Sequence, residues 1–434
     1  MPRFSSTGRL LYLAWLLQVH TVLAVEASDG FEMPDFDVTT ATDMESYQPS
    51  AWRHTLSYEH GWAEEGGSVV QRLGWRPQWD GLLGENVFFA LDAKLRVYGA
   101  KDRLTPSGED YTTDSRIRSL YLQTSGEQWA VLGGYQVVNL GHMDIVTISD
   151  VFAPWDYSEP AWTAPEDARL GQAMLAVSRF LPSGSLHAYV NLRAELTRYP
   201  VDNLNEQVTA LLGTPAFQLE DDRPDYFQRS EVVLRYQHSA GNTEQEVILA
   251  SVIQNDPALE ILALLPVPRL RTVYPRYTLA AYALSHVRDN VLWKLELAWK
   301  DGIRPLELNG LEMDSLDVGV GMEYNAAEDW HLTVEASRYY RQYPAGTVIT
   351  RRDPWQVALR WSRDYLNQTL TLVAFAAHAE PGPVNTTSLS LQYSLRDDLV
   401  LELASTHLGV RGTTTFAPLL EAASATVLRM RYHW

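Results

Sequence analysis

From Ala51 to the last residue, apolar and polar side chains alternate with a period of two. The clearest runs set Val87/Phe89/Leu91/Ala93/Leu95/Val97 against Asn86/Asp92/Lys94/Arg96, and Val291/Trp293/Leu295/Leu297/Trp299 against Lys294/Glu296/Lys300. Leu186/Ala188/Val190/Leu192, Trp355/Val357/Leu359/Trp361 and Leu389/Leu391/Tyr393 repeat the pattern. Successive side chains of a strand point to opposite faces, so each run predicts a strand with one apolar and one polar face. About eighteen such runs occupy the chain, an even number of a size found among membrane-spanning barrels. A soluble sandwich also alternates, but the connections argue against one. Short turns fall at Pro182-Ser-Gly184, Ser239-Ala-Gly241, Arg288-Asp-Asn290, Asn325-Ala-Ala-Glu328, Asp364-Tyr-Leu-Asn367 and Arg396-Asp-Asp398. Long polar connections lie between them, at 100–114, 139–167, 197–225, 256–273, 302–311, 342–353 and 410–421. Short periplasmic turns alternating with long outer loops are characteristic of outer-membrane barrels, and a sandwich has no reason to keep that parity.

The pattern therefore predicts an all-β protein: a transmembrane antiparallel β-barrel of about eighteen strands over residues 51–434. Hydrocarbon leaves no partner for an open sheet edge, so the barrel has to close. At this size its strand side chains cannot fill the interior, and an aqueous lumen results. The last strand, Val427 to Trp434, carries apolar residues at alternate positions and ends on an aromatic, as the strand read by barrel-assembly machinery does. Trp52, Trp75, Tyr98, Trp330, Tyr340, Trp355, Tyr432 and Trp434 lie near strand ends and are expected in the interfacial girdles.

Composition adds compartment and exclusions. Arg3 and Arg9 precede the apolar run Leu10 to Leu17, and Ala24 and Ala27 offer small-residue cleavage sites, so residues 1–27 read as a signal peptide. Residues 28–50 are acidic, nearly free of aliphatic side chains, and read as a periplasmic N-terminal tail. No later stretch has the length of apolar sequence that a transmembrane helix needs. A net charge of −19 disfavours nucleic acid, whose phosphates require clustered cations. The absence of cysteine excludes thiolate chemistry, cysteine-ligated metals and a lipoprotein anchor. The expected partners are membrane lipid and lipopolysaccharide, the assembly machinery and a polar solute. No cofactor and no metal are expected, and the outer faces show no patch that fixes an oligomeric state.

Alternation assigns Arg96, Arg179, Arg193, Arg235, Arg341, Arg360, Arg429 and Arg431 to the lumen wall, with Lys94, Lys294 and Lys300. Asp92, Glu195, Glu231, Glu296, Asp317, Glu323, Glu335 and Glu402 join them, giving a mixed wall that tilts basic. Arg116 and Arg118 have no clear face, because Leu120 and Leu122 share their parity. The stretch 139–167 has no lysine or arginine and carries six carboxylates, two tryptophans and three prolines. A loop of this length is functional or disordered, and its apolar content opposes disorder. Two readings stand. In one it folds inward as a constriction, with Asp144, Asp150, Asp156 and Glu159 opposed to wall arginines and Trp155, Tyr157 and Trp162 offered to sugar rings. In the other it stays outside, solvated or binding divalent cations between lipopolysaccharides.

The segments Ile117-Arg-Ser-Leu-Tyr-Leu122, Leu132-Gly-Gly-Tyr-Gln136 through Gly141, and Asp150-Val-Phe-Ala-Pro154-Trp-Asp156 resemble a known family. It comprises porin-like outer-membrane barrels of unknown function, distantly related to alginate-export porins. Gly134, Gln136, Gly141, Asp150, Pro154 and Asp156 match its motifs, whereas Ser119, Tyr135, Leu140 and Ala153 depart from its Glu, Arg, Trp and Asn positions. The resemblance covers about forty residues and implies a barrel in the outer membrane without implying a substrate.

Little else carries chemistry. Glu220, Asp221, Asp222 and Asp225 form an acidic run without the spacing of a calcium loop. Leu204–Gly213 and Pro257–Leu265 are compatible with short helices. His142 and Asp144 lie close together but lack a nucleophile placed with them. The sequence thus predicts a non-enzymatic channel for a polar solute, anionic or saccharide-like. The alternatives are a structural barrel plugged by its own loops and an outer-membrane hydrolase.

Overall fold

The computed structural model describes residues 52–64, 66–84, 86–102, 112–158, 168–198, 216–222, 224, 226–263, 266–304, 311–326, 330–345, 353–380, 384–410 and 424–434. The expected signal peptide and tail, Glu159, Trp162, Leu204–Gly213 and Asp225 lie outside these residues. In chain order the strands are β1 (Arg53–Ala63), β2 (Ser68–Leu82), β3 (Val87–Tyr98), β4 (Thr113–Ser125), β5 (Trp129–Gln136), β6 (Gln172–Leu181) and β7 (Gly184–Arg193). There follow β8 (Gln218–Asp221), β9 (Glu231–Ala240), β10 (Thr243–Ile253), β11 (Ala258–Ala263), β12 (Arg269–Val273), β13 (Arg276–Arg288) and β14 (Val291–Ile303). The chain ends with β15 (Met313–Ala326), β16 (Trp330–Gln342), β17 (Trp355–Tyr365), β18 (Leu370–Glu380), β19 (Val384–Arg396), β20 (Leu399–Val410) and β21 (Ala425–His433).

All but β8, β11 and β12 belong to one 18-stranded sheet in which neighbours pair antiparallel. The sheet closes on itself: β21 pairs with β1 from Thr55↔His433 to Ala63↔Ala425. His54 and Trp434 finish the seam by exchanging two backbone hydrogen bonds of 3.0 Å. The terminal tryptophan also lies 5.2 Å from the His54 ring. Closure removes every edge, which is the condition for strands in hydrocarbon. Leu73, Leu122, Leu175, Leu249, Trp293, Val320, Leu389 and Leu403 all lie exposed on the outer face. An apolar belt of this extent suits lipid and would aggregate in water. Among the described residues no helix is long and apolar enough to cross a membrane; the strands cross it.

Two register shifts change which residues reach the inner face, and two further residues lie on faces other than those expected. In β4 the pairing shifts, so that Asp92 faces Ser119 while Ala93 faces Ile117. The extra residue, Arg118, is a β-bulge that lets Arg116, Arg118, Ser119 and Tyr121 all turn inward, resolving the ambiguous face of this strand. A second shift, between β6 and β7, sets Arg193 opposite Ala173, on the parity of the lipid-facing Leu175 and Val177, so Arg193 is not on the lumen wall. Arg179 also leaves the predicted set. It shares the outer parity of Leu175, Val177 and Leu181, and its guanidinium donates to Gln128 Oε1 at 2.8 Å beside a short turn. Tyr98, expected in a girdle, instead points inward: it is fully buried, with the Arg72 guanidinium 5.0 Å from its ring centre.

A three-stranded sheet of β8, β11 and β12 stands on the long-loop end, with β8 parallel to β12. Residues 258–263, compatible with helix in sequence, form β11, which pairs antiparallel with β12 and buries Ala258, Leu259 and, on β12, Leu270. The acidic run is matched here by cations: Glu220 pairs with Arg269 at 2.5 Å and Asp222 with Arg271 at 3.4 Å.

Candidate functional site: a segment threaded through the lumen

After Gln136 the chain leaves the wall and runs through the barrel interior. Irregular backbone inside a barrel lacks the ladder partners of a strand, so its N–H groups need acceptors from elsewhere. The wall supplies carboxylates. Glu296 on β14 accepts from His142 N at 2.5 Å, Met143 N at 2.8 Å, Ser149 N at 3.1 Å and Ser149 Oγ at 2.7 Å. Glu335 on β16 accepts from Asp144 N at 3.0 Å and from Ile145 N and Val146 N, both at 2.8 Å. Glu246 on β10 accepts from Gly141 N at 3.2 Å. A carboxylate offers several acceptor positions, which is why one side chain can hold a whole turn of backbone.

Apolar contacts complete the anchorage. Met143, Ile145 and Val146 pack with Ala358, Val373, Phe375 and Ala377 of β17 and β18. Val138, Leu140, Ile148 and Phe152 pack in a larger cluster with residues of β5, β6, β7, β9, β10, β13 and β14. Gly319 on β15 makes room for this: a Cβ there would meet Ile148 Cδ1 at 2.5 Å. The segment thus covers the inner wall from β5 round to β18.

The three predicted constriction acids among the described residues do not act alike. Asp144 has a side chain 60 % exposed and is bound to the Lys294 ammonium, which also contacts Glu323. Desolvation raises the Asp144 carboxyl, but the Lys294 ammonium, a hydrogen bond with Glu323 and the charge of Arg360 together hold the group below the usual carboxylate range. Asp150 and Asp156 are instead internal struts, with side chains only 7 % and 1 % exposed. Asp150 pairs with Arg169 and accepts Leu140 N at 3.2 Å. Asp156 pairs with Arg116 and accepts from Ser158 N at 3.0 Å and Ser158 Oγ at 2.6 Å. Several motif residues are likewise fasteners. Pro154 accepts Leu170 N at 2.9 Å, and Gly134 adopts φ 143°, with Tyr121 Cα 2.6 Å from where a Cβ would stand. Gln136 is fully buried where the segment departs.

The arc from β20 through the seam to β4 has a different character. Register places Arg53, Arg72, Arg76, Lys94, Arg96, Arg116, Arg118, Arg429 and Arg431 on its inner face, against Glu59, Asp80, Asp92, Asp114 and Glu402. Nine cations against five acids give these strands a cationic excess, part of which is offset by Asp102, 2.9 Å from the Arg72 guanidinium, and by Asp156 on Arg116. The groups form a connected ladder: Arg429 and Arg431 lie 3.0 and 3.3 Å from Glu402, Arg429 and Arg96 lie 3.8 and 3.9 Å from Glu59, and Arg76 and Arg118 lie 2.7 and 3.4 Å from Asp92. Of the other predicted wall cations, Arg235 is paired with Glu246 at 2.6 Å, and Arg341 and Arg360 face inward on β16 and β17. Sequence alternation found Lys94, Arg96, Arg429, Arg431, Asp92 and Glu402 of this arc, left Arg116 and Arg118 without a face, and missed Arg53, Arg72, Arg76, Glu59, Asp80 and Asp114. It gave no sign that the acids gather under the inserted segment and the surplus cations face it.

No protein-family model matches the chain, and no curated protein matches it. The resemblance to barrels related to alginate-export porins therefore rests on the motif residues alone. Solved structures do match. OpdK of Pseudomonas aeruginosa with vanillate superposes with a TM-score of 0.55 at 10 % identity, covering 88 % of this chain and 98 % of that one. OccAB3 of Acinetobacter baumannii gives 0.54 at 11 % identity, again over 88 % and 98 %. OccK2 (OpdF) of Pseudomonas aeruginosa in complex with glucuronate gives 0.52 at 10 % identity, over 88 % and 96 %. Closed, eighteen-stranded, apolar outside and threaded by one of its own loops, this chain has the fold of porin-like outer-membrane barrels.

Proposed function

We propose that the barrel is a channel for passive movement of small polar solutes across the outer membrane, narrowed by the inserted segment. The observation that carries this reading is the division of the lumen. One arc is occupied by a segment clamped to wall carboxylates, and the facing arc is a ladder with surplus cations. Asp144, exposed on the segment, and the guanidinium ladder together make a transverse field, which orients dipolar solutes and favours small anions along the basic side. Vanillate and glucuronate, seen with two barrels of the same fold, are both carboxylates and agree with such a preference.

A plugged barrel is the second reading, and the near-complete burial of Arg72, Arg96, Glu59 and Arg429 inside the lumen favours it. Single-channel recording of the refolded protein in a planar bilayer, with reversal potential in a salt gradient, separates the two. Steady conductance with anion preference supports the channel. A correctly folded, heat-modifiable barrel without conductance refutes it.

A further inference from the structure

Between the outer side of the inserted segment and the wall of β13–β16 lies a hollow of about 210 Å³. Thr197, Gln254, Asn255 and Ile303 border it at the strand ends from which long connections leave, so it belongs to the extracellular half of the barrel. Its sides are aromatic: Trp155 and Tyr157 come from the segment, Tyr277 and Tyr339 from the wall. The Arg169 guanidinium stacks 3.7 Å from the Trp155 ring centre and fixes that ring. Its floor is ionic, with Asp150, Asp256 and Asp317 set among Lys300 and Arg341. Lys300 Nζ lies 2.7 Å from the Asp317 carboxylate, and Asp150 is bound to Arg169. Asn255 donates through Nδ2 to Val151 O at 3.2 Å, while its buried Oδ1 has no donor among the described residues.

These features select a ligand. Flat apolar faces cover the C–H faces of a ring, and ion pairs present fixed donors beside fixed acceptors, as adjacent hydroxyls require. A carboxylate would find Lys300 and Arg169 already paired and would face Asp150, Asp256 and Asp317 with only Arg341 added on the cationic side, so negative charge is penalised. We propose that this hollow is a docking site for one uncharged polyhydroxylated ring of monosaccharide size. It differs in charge preference from the basic arc on the other side of the segment. The site rests on the channel reading only in supposing that solutes reach the outer mouth; binding itself needs no conduction.

The test is equilibrium binding of D-glucose and of glucuronate to the refolded full chain in detergent, followed by tryptophan fluorescence and by calorimetry. Saturable glucose binding is expected, with glucuronate at least tenfold weaker. Tyr277→Ala and the paired change Lys300→Met with Asp317→Leu should each weaken glucose at least tenfold. Asn255→Leu, outside the strands, tests the site without disturbing barrel pairing, and heat-modifiable mobility certifies folding of every variant. Absence of glucose binding to the folded barrel overturns the proposal. So does glucose binding indifferent to Asn255→Leu and Tyr277→Ala, or tighter binding of glucuronate lost in the same variants. A barrel that conducts but binds no glucose loses the docking site and keeps the channel; one that binds glucose without conducting does the reverse.

Discussion

Glu296→Ala takes the acceptor away from three backbone amides and one hydroxyl of the inserted segment. Hydrogen bonds to a charged group contribute roughly 1.5–3 kcal/mol each. All four share one carboxylate, and lumen water recovers part of the loss, so the set is expected to contribute about 3–5 kcal/mol to holding this turn. With about 1.4 kcal/mol per tenfold change, local opening of the turn should become roughly two to three and a half decades more frequent. The Glu335 clamp and the packing on Phe375 and Val373 remain, so the segment should loosen around 141–149 without detaching. Hydrogen exchange read by mass spectrometry on peptides spanning this turn measures the change directly. Single-channel current noise should rise in parallel. Among the segment's amides Glu246→Gln touches only the 3.2 Å bond from Gly141, besides the Arg235 pair on the wall, and should alter exchange far less. Unchanged exchange at His142, Met143 and Ser149 in a folded Glu296→Ala barrel would show that wall carboxylates do not clamp the segment.

Asp144→Asn should move the reversal potential toward stronger anion preference. Asp156→Asn should instead make the loop protease-sensitive, since Asp156 is a buried strut for Arg116 and Ser158; equal selectivity shifts from both variants would contradict that division. Gly319→Val drives a side chain into Ile148 and should displace the segment with no change in charge, raising conductance while leaving selectivity nearly constant. The Asp144 carboxyl is held below the usual aspartate value of about 3.9, so its contribution is present above that value and lost only as pH falls through the depressed one. The difference in reversal potential between the wild type and Asp144→Asn should therefore stay constant from neutrality to about pH 4; a difference that begins to shrink near pH 6 would contradict the Lys294 pairing.

The barrel was legible in the sequence because a lipid-facing strand has to alternate and a closed sheet has to turn back evenly. Those are local constraints, written residue by residue in runs such as Val291 to Trp299 and in turns such as Arg288-Asp-Asn290. The inward course of 139–158 was legible as one of two readings, from its apolar content. Period-two reading failed at bulges, since one extra residue at Arg118 or beside Arg193 reverses parity and nothing local announces it. It also set Arg179 on the inner face, and nearness to a strand end set Tyr98 in a girdle, where strand register decides otherwise.

What only the tertiary structure decided is which charges meet. Glu296 lies about 150 residues from His142, Met143 and Ser149, and Arg116 lies 40 from Asp156. A carboxylate in sequence carries no mark of whether it will face water, pair with a guanidinium or receive backbone amides. That choice depends on what closure of the barrel sets opposite it, so Asp144, Asp150 and Asp156 look alike in sequence and only Asp144 is left facing the lumen.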